Sequence, residues 1–77
     1  MRFGAHLEVP KEHLNEVEAV LPRIVDVLNG YLRALEPKDL EHPAALIKLR
    51  SQMLRRVQIV TGKARVRDLL IAEFILN

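Results

Sequence analysis

The last twelve residues, Val66 to Asn77, are apolar whichever way a strand is turned. On strict alternation Val66, Leu70, Ala72, Phe74 and Leu76 share one side of a β-strand, and Leu69, Ile71 and Ile75 the other. A chain of 77 residues has one small domain's worth of material. A single helical layer covers only one face of a sheet, so the second apolar face must meet something else: more strands, another domain or a second subunit. A small domain also buries a modest share of its surface and is marginal without partners or staples. The chain therefore reads as part of an assembly rather than as a self-contained enzyme.

The other end gives a half-buried strand. In residues 2–9, Phe3, Ala5, Leu7 and Val9 alternate with Arg2, Gly4, His6 and Glu8, and Pro10 closes the run. Between the strands lie two helical stripes. Leu14, Val17, Leu21, Ile24, Leu28, Tyr31 and Leu35 recur in steps of three and four, widened by Val20 and Val27. This predicts a helix over about residues 12–35, kinked at Pro22, which removes a hydrogen bond inside the pattern. Asn15 followed by Glu18 fits a capping box. Residues 36–43 form a connector with room for one helical turn, pinned by Leu40. Leu46, Leu49, Met53, Val57 and Val60 mark the second helix, with Pro43 suited to its first turn and Gly62 to its stop. The expected fold is α+β, in the order β-α-α-β, with both helices on one face of a sheet. No repeat or long linker divides residues 1–77.

Composition narrows the chemistry. There are no cysteines, which removes disulfides, thiolate metal sites and cysteine nucleophiles. Ser51 is the single serine and sits mid-helix without a glycine elbow. The three glycines are isolated, so no phosphate-cradling loop exists. His6 and Glu8 share a strand face at a spacing that could serve a metal, but two ligands do not make a site. His42, before Pro43, is more simply a helix-opening residue. No cofactor is expected, and no acid, base or nucleophile cluster points to an enzyme.

Charge is unevenly spread. Residues 1–41 carry five basic and eight acidic side chains, a balance of −3; residues 42–77 carry seven and two, a balance of +5. One reading is a basic surface for an acidic partner, formed by Lys48, Arg55, Arg56, Lys63, Arg65 and Arg67. The other is a pair of solvated helix faces whose opposite charges favour packing side by side. Only Phe3, Tyr31 and Phe74 are aromatic, too few for a base-stacking surface, so nucleic acid is the weaker alternative. Arg50 breaks its local pattern by falling inside the apolar arc of the second helix. It must snorkel, pair with a carboxylate (Asp68 and Glu73 being the candidates) or face a subunit interface. No run is long enough to span a membrane and no signal peptide opens the chain, so the segment is expected to be soluble.

Several runs together resemble the periplasmic domain of the flagellar basal-body-associated FliL family. They are Leu7-Glu8-Val9, Leu21-Pro22-Arg23-Ile24-Val25-Asp26-Val27-Leu28, Tyr31-Leu32-Arg33, Asp39-Leu40, Leu49-Arg50, and the closing strand with its Val66-Arg67-Asp68 lead into apolar residues and Phe74. Their order and spacing cover nearly the whole chain. The resemblance implies a stomatin-like (SPFH) fold, of which this chain is the C-terminal portion, lacking the family's N-terminal transmembrane helix and the preceding strands. It also implies a non-enzymatic role on the periplasmic side of the bacterial inner membrane. There, FliL-like proteins associate with stator and basal-body proteins, support motility and assemble into rings. Membrane attachment is expected only through an anchor absent from this chain. The expected contact surface comprises Leu69, Ile71 and Ile75 of the last strand with Arg55 and Arg56 of the second helix.

Overall fold

The computed structural model describes residues 2–75. Its elements run β1 (Arg2–Glu8), a 3₁₀ turn (Lys11–His13), α1 (Leu14–Ala19), α2 (Leu21–Arg33), a second 3₁₀ turn (Pro37–Leu40), α3 (Ala45–Thr61) and β2 (Asp68–Ile75). β1 and β2 pair antiparallel as a two-stranded sheet among the described residues. The domain is α+β, as the apolar periods predict. The expected strand residues Leu76 and Asn77 lie outside the described residues.

The first helical stripe is continuous in sequence but the backbone is not. Instead of one bent rod, α1 stops at Ala19, Val20 leaves helical geometry, and α2 restarts at Leu21 with Pro22 in its first turn. Proline lacks the N–H that residue 18 would accept from, and its ring collides with that carbonyl in a continuous helix. In a first turn neither cost arises. The Val20 carbonyl accepts instead from Arg23 at 3.0 Å and Ile24 at 3.1 Å. The stripe survives in part: Val17, Ile24 and Leu28 reach the core, joined by Leu32 from outside the expected stripe, while Leu14 and Leu21 are exposed.

Two further expectations need correction. α1 begins at Leu14, so Asn15 lies inside the helix and the Asn15–Glu18 capping box does not form. The capping box that forms belongs to Glu36 and Asp39, at the second 3₁₀ turn. Pro43 precedes α3 rather than sitting in its first turn, and His42 does the opening work there. Its Nδ1 accepts the Ala44 N–H at 3.0 Å, and its carbonyl accepts the Ala45 N–H at 2.9 Å. The stop is as expected. Gly62 adopts φ +94°, a region closed to residues with a Cβ, and its N–H donates to the Gln58 carbonyl at 2.7 Å.

The helices cover one face of the sheet. Leu49, Met53 and Val57 of α3 meet Val66 and Leu69, with Phe3, Leu7, Ile71 and Phe74 packed around them. The Phe3 and Phe74 rings meet edge to face, centroids 6.0 Å apart, a geometry the ring quadrupoles favour.

The register of the sheet revises the two-face reading of the last strand. Gly4 pairs with Glu73, but the next residue, Ala5, pairs with Ile71, so Ala72 is an extra residue without a partner. Such a bulge flips the alternation beyond it. Leu69, Ile71 and Phe74 therefore share the covered face, opposite Leu7, Ala5 and Phe3. Leu70 and Ile75 are left on the outer face, 56 % and 43 % exposed.

Candidate functional site

The outer sheet face has a polar half and an apolar half. β1 contributes Arg2, His6 and Glu8, all exposed. β2 contributes Leu70 and Ile75, with the bulged Ala72 exposed between them. His6 stands opposite Leu70, and Arg2 opposite Ile75. Arg2 Nε reaches Glu73 Oε1 at 3.0 Å. This placement corrects the expected contact surface. Leu69 has no exposed area and Ile71 is packed against the core, because the bulge and the preceding register turn both toward the helices. Of the three strand residues named, Ile75 is the exposed one. Leu70 was missed, and strict alternation hides it: only a bulge puts Leu70 and Ile75, five residues apart, on one face.

Arg50 pairs with Asp68, not with Glu73. Its Nη1 donates to Asp68 Oδ1 at 2.7 Å, and the same oxygen accepts the Leu69 N–H at 2.8 Å. Asp68 opens β2 beside α3, whereas Glu73 lies beyond the bulge on the outer face, where Arg2 takes it. The pair thus pins α3 to the start of β2. Its side chains keep 42 % and 35 % of their surface, so water screens the attraction. Arg50→Ala is expected to cost about 1 kcal/mol rather than the several that a dry pair would lose. Denaturant midpoints for Arg50→Ala and for Arg55→Ala, an exposed control, measure the difference. Equal effects would remove the pair from any structural role.

A second clamp joins the α3–β2 connection to α1. Arg65 Nε contacts Glu16 Oε2, while its Nη1 donates to the Thr61 carbonyl at 3.1 Å, closing the C-terminus of α3. His13 Nδ1 lies 3.4 Å from Glu16 Oε1. The hydrogen bond with His13, and then the Arg65 guanidinium, hold the Glu16 carboxyl below its usual value. A depressed carboxyl stabilises the fold above its unfolded pKa, and the contribution is lost as pH falls through the folded one. Melting curves of the parent and Glu16→Gln are therefore expected to differ at neutral pH and to converge in acid. A gap that widens on acidification would contradict this.

The basic side chains of the second half do not form one patch. Arg56 lies over the Tyr31 ring, 4.7 Å from its centroid, on the flank facing α2. Arg55 and Lys63 border a different shallow depression with Ser51 and Ile59. Arg65 is engaged by Glu16. Among the described residues, no group of three or more His, Asp or Glu side chains is placed to hold a metal. No helix among them is long and apolar enough to cross a membrane.

What the geometry describes is a small α+β module with an uncovered apolar strip on its sheet and separate ion-pair clamps behind it. Residues 1–76 match the family model "Flagellar basal body-associated protein FliL". The chain is also 38% identical over 78 aligned residues to the flagellar FliL proteins of Caulobacter vibrioides strains NA1000 and CB 15. The alignment covers all of this chain and 38% of the length of each relative. The chain belongs to the FliL family. No solved structure matches it.

Proposed function

We propose that this segment is the C-terminal part of a FliL-type periplasmic domain, with a stomatin-like fold in the complete protein. It acts without catalysis, as an accessory of the flagellar motor. It packs against stator and basal-body proteins, and against further copies of itself, and biases stator units toward an engaged, torque-generating state. The match over residues 1–76 carries this reading. The exposed Leu70 and Ile75 support contact through the outer sheet face, since exposed apolar side chains on an edge strand of the two-stranded sheet among the described residues favour association.

The reading is tested by fusing the segment behind a periplasm-directed transmembrane anchor, in a flagellated bacterium lacking its own FliL-family protein. The fusion is expected to co-purify with basal bodies. The Leu70→Glu, Ile75→Glu double variant is expected to melt cooperatively yet be lost from them. Absence of the parent from basal bodies, or full retention of the double variant, would count against it.

A further inference from the structure

A cleft of about 700 Å³ runs between the C-terminal half of α2, the second 3₁₀ turn and the flank of α3. Its apolar lining is the half-buried Tyr31 and Leu35, with the buried Ala45 and Leu49 behind them. Lys48, Gln52 and Arg56 line it from α3 in four-residue steps, a single row about 12 Å long at 1.5 Å per residue. The contact with Tyr31 holds the Arg56 guanidinium at one end of the row. Lys38, in the second 3₁₀ turn, also lines the cleft, within 3.5 Å of Glu36 Oε2. The acid lining the cleft is Asp39, and its Oδ2 is already accepting the Glu36 N–H at 2.8 Å. Lys48 and Arg56 form no ion pair among the described residues.

We propose that this cleft receives an acidic amphipathic segment of a partner protein, apolar side chains down and carboxylates along the Lys48–Arg56 row. The spacing argues for this occupant. Lys48 and Arg56, two helical turns apart beside the half-buried Tyr31 and Leu35, match a helix laid in a groove. A lone phosphate needs donors that converge on one point. Single-stranded nucleic acid needs free aromatic faces, and the ring in the cleft is covered by Arg56. The cleft shares no residue with the outer sheet face. This inference therefore does not depend on the flagellar reading, and either can fail alone.

The probe is an acetylated and amidated peptide of about fifteen residues, near the minimum for a helix in water. It carries Leu and Ala on one face and Glu beside them. Its counterpart has Lys at every Glu. Titrated into the isotope-labelled chain at low salt, the acidic peptide is expected to shift the amides of Tyr31, Leu35 and Leu49 saturably, with Kd below about 1 mM. Lys48→Glu with Arg56→Glu is expected to weaken binding at least about tenfold. The milder Lys48→Gln, Arg56→Gln pair is expected to lose less and covers a misfolded charge reversal. No saturable shift, equal binding of both peptides, or shifts confined to β2 would overturn the proposal. So would equal occupancy of the same site by inorganic phosphate or single-stranded DNA. Self-association of the chain that disappears in the Lys48/Arg56 variants would reassign the cleft to a second copy.

Discussion

Leu69→Asp is expected to abolish the cooperative unfolding transition, whereas Leu70→Asp, one residue on, is expected to leave it nearly unchanged. Leu69 is fully buried, opposite Leu7 and beneath α3. A carboxylate there must be stripped of water, or else take up a proton, and either costs several kcal/mol. A 77-residue domain has in all about 4–12 kcal/mol to lose. The loss of leucine packing adds about 2–5 kcal/mol. Together these exceed or exhaust the stability of the fold. Leu70 is more than half exposed, and a surface substitution there shifts stability by about 0.5 kcal/mol or less. Circular dichroism with thermal and denaturant melts separates the pair. If the two variants behave alike, or Leu70→Asp is the one that unfolds, the bulge at Ala72 is misplaced and the faces of β2 are exchanged.

That contrast also marks where sequence reasoning runs out. The period of Phe3, Ala5 and Leu7 and the inner steps of the two helical stripes point to the core, but Leu14, Leu21 and Leu46 of those stripes stay exposed and the buried Leu32 lies off the first stripe. Gly62 was legible as a stop because only glycine adopts its backbone angles without strain. Backbone breaks within an element were not legible to the same degree. Pro22 signals an interruption, but a kinked helix and a stop followed by a restart leave the same stripe. The Ala72 bulge leaves no mark at all, since a strand apolar on both faces fits either parity. Only the pairing of Gly4 with Glu73 and of Ala5 with Ile71 decides it. The error passed to the candidate site: Leu69 and Ile71 were expected at an interface, and they serve the core. Arg50 was flagged as anomalous by its position in an apolar arc, and one of its candidate partners, Asp68, lies where the pair can form. The Arg65–Glu16 clamp, between residues far apart in the chain, had no local signal.

We propose that the segment works through its fold and its contact face, not through a reacting group. Swimming is the most direct measurement of that claim. In a bacterium whose own FliL-family protein is deleted, the membrane-anchored fusion is expected to restore at least part of the spreading in soft agar. Leu69→Asp is expected to restore none, because it does not fold. Leu70→Glu with Ile75→Glu is expected to fail while remaining folded, because the apolar strip is gone. His6→Ala, which keeps the outer face apolar, and Ser51→Ala are expected to swim like the parent. A His6→Ala or Ser51→Ala variant that folds and reaches the periplasm but does not swim would contradict the account. So would a Leu70→Glu, Ile75→Glu variant that swims as well as the parent.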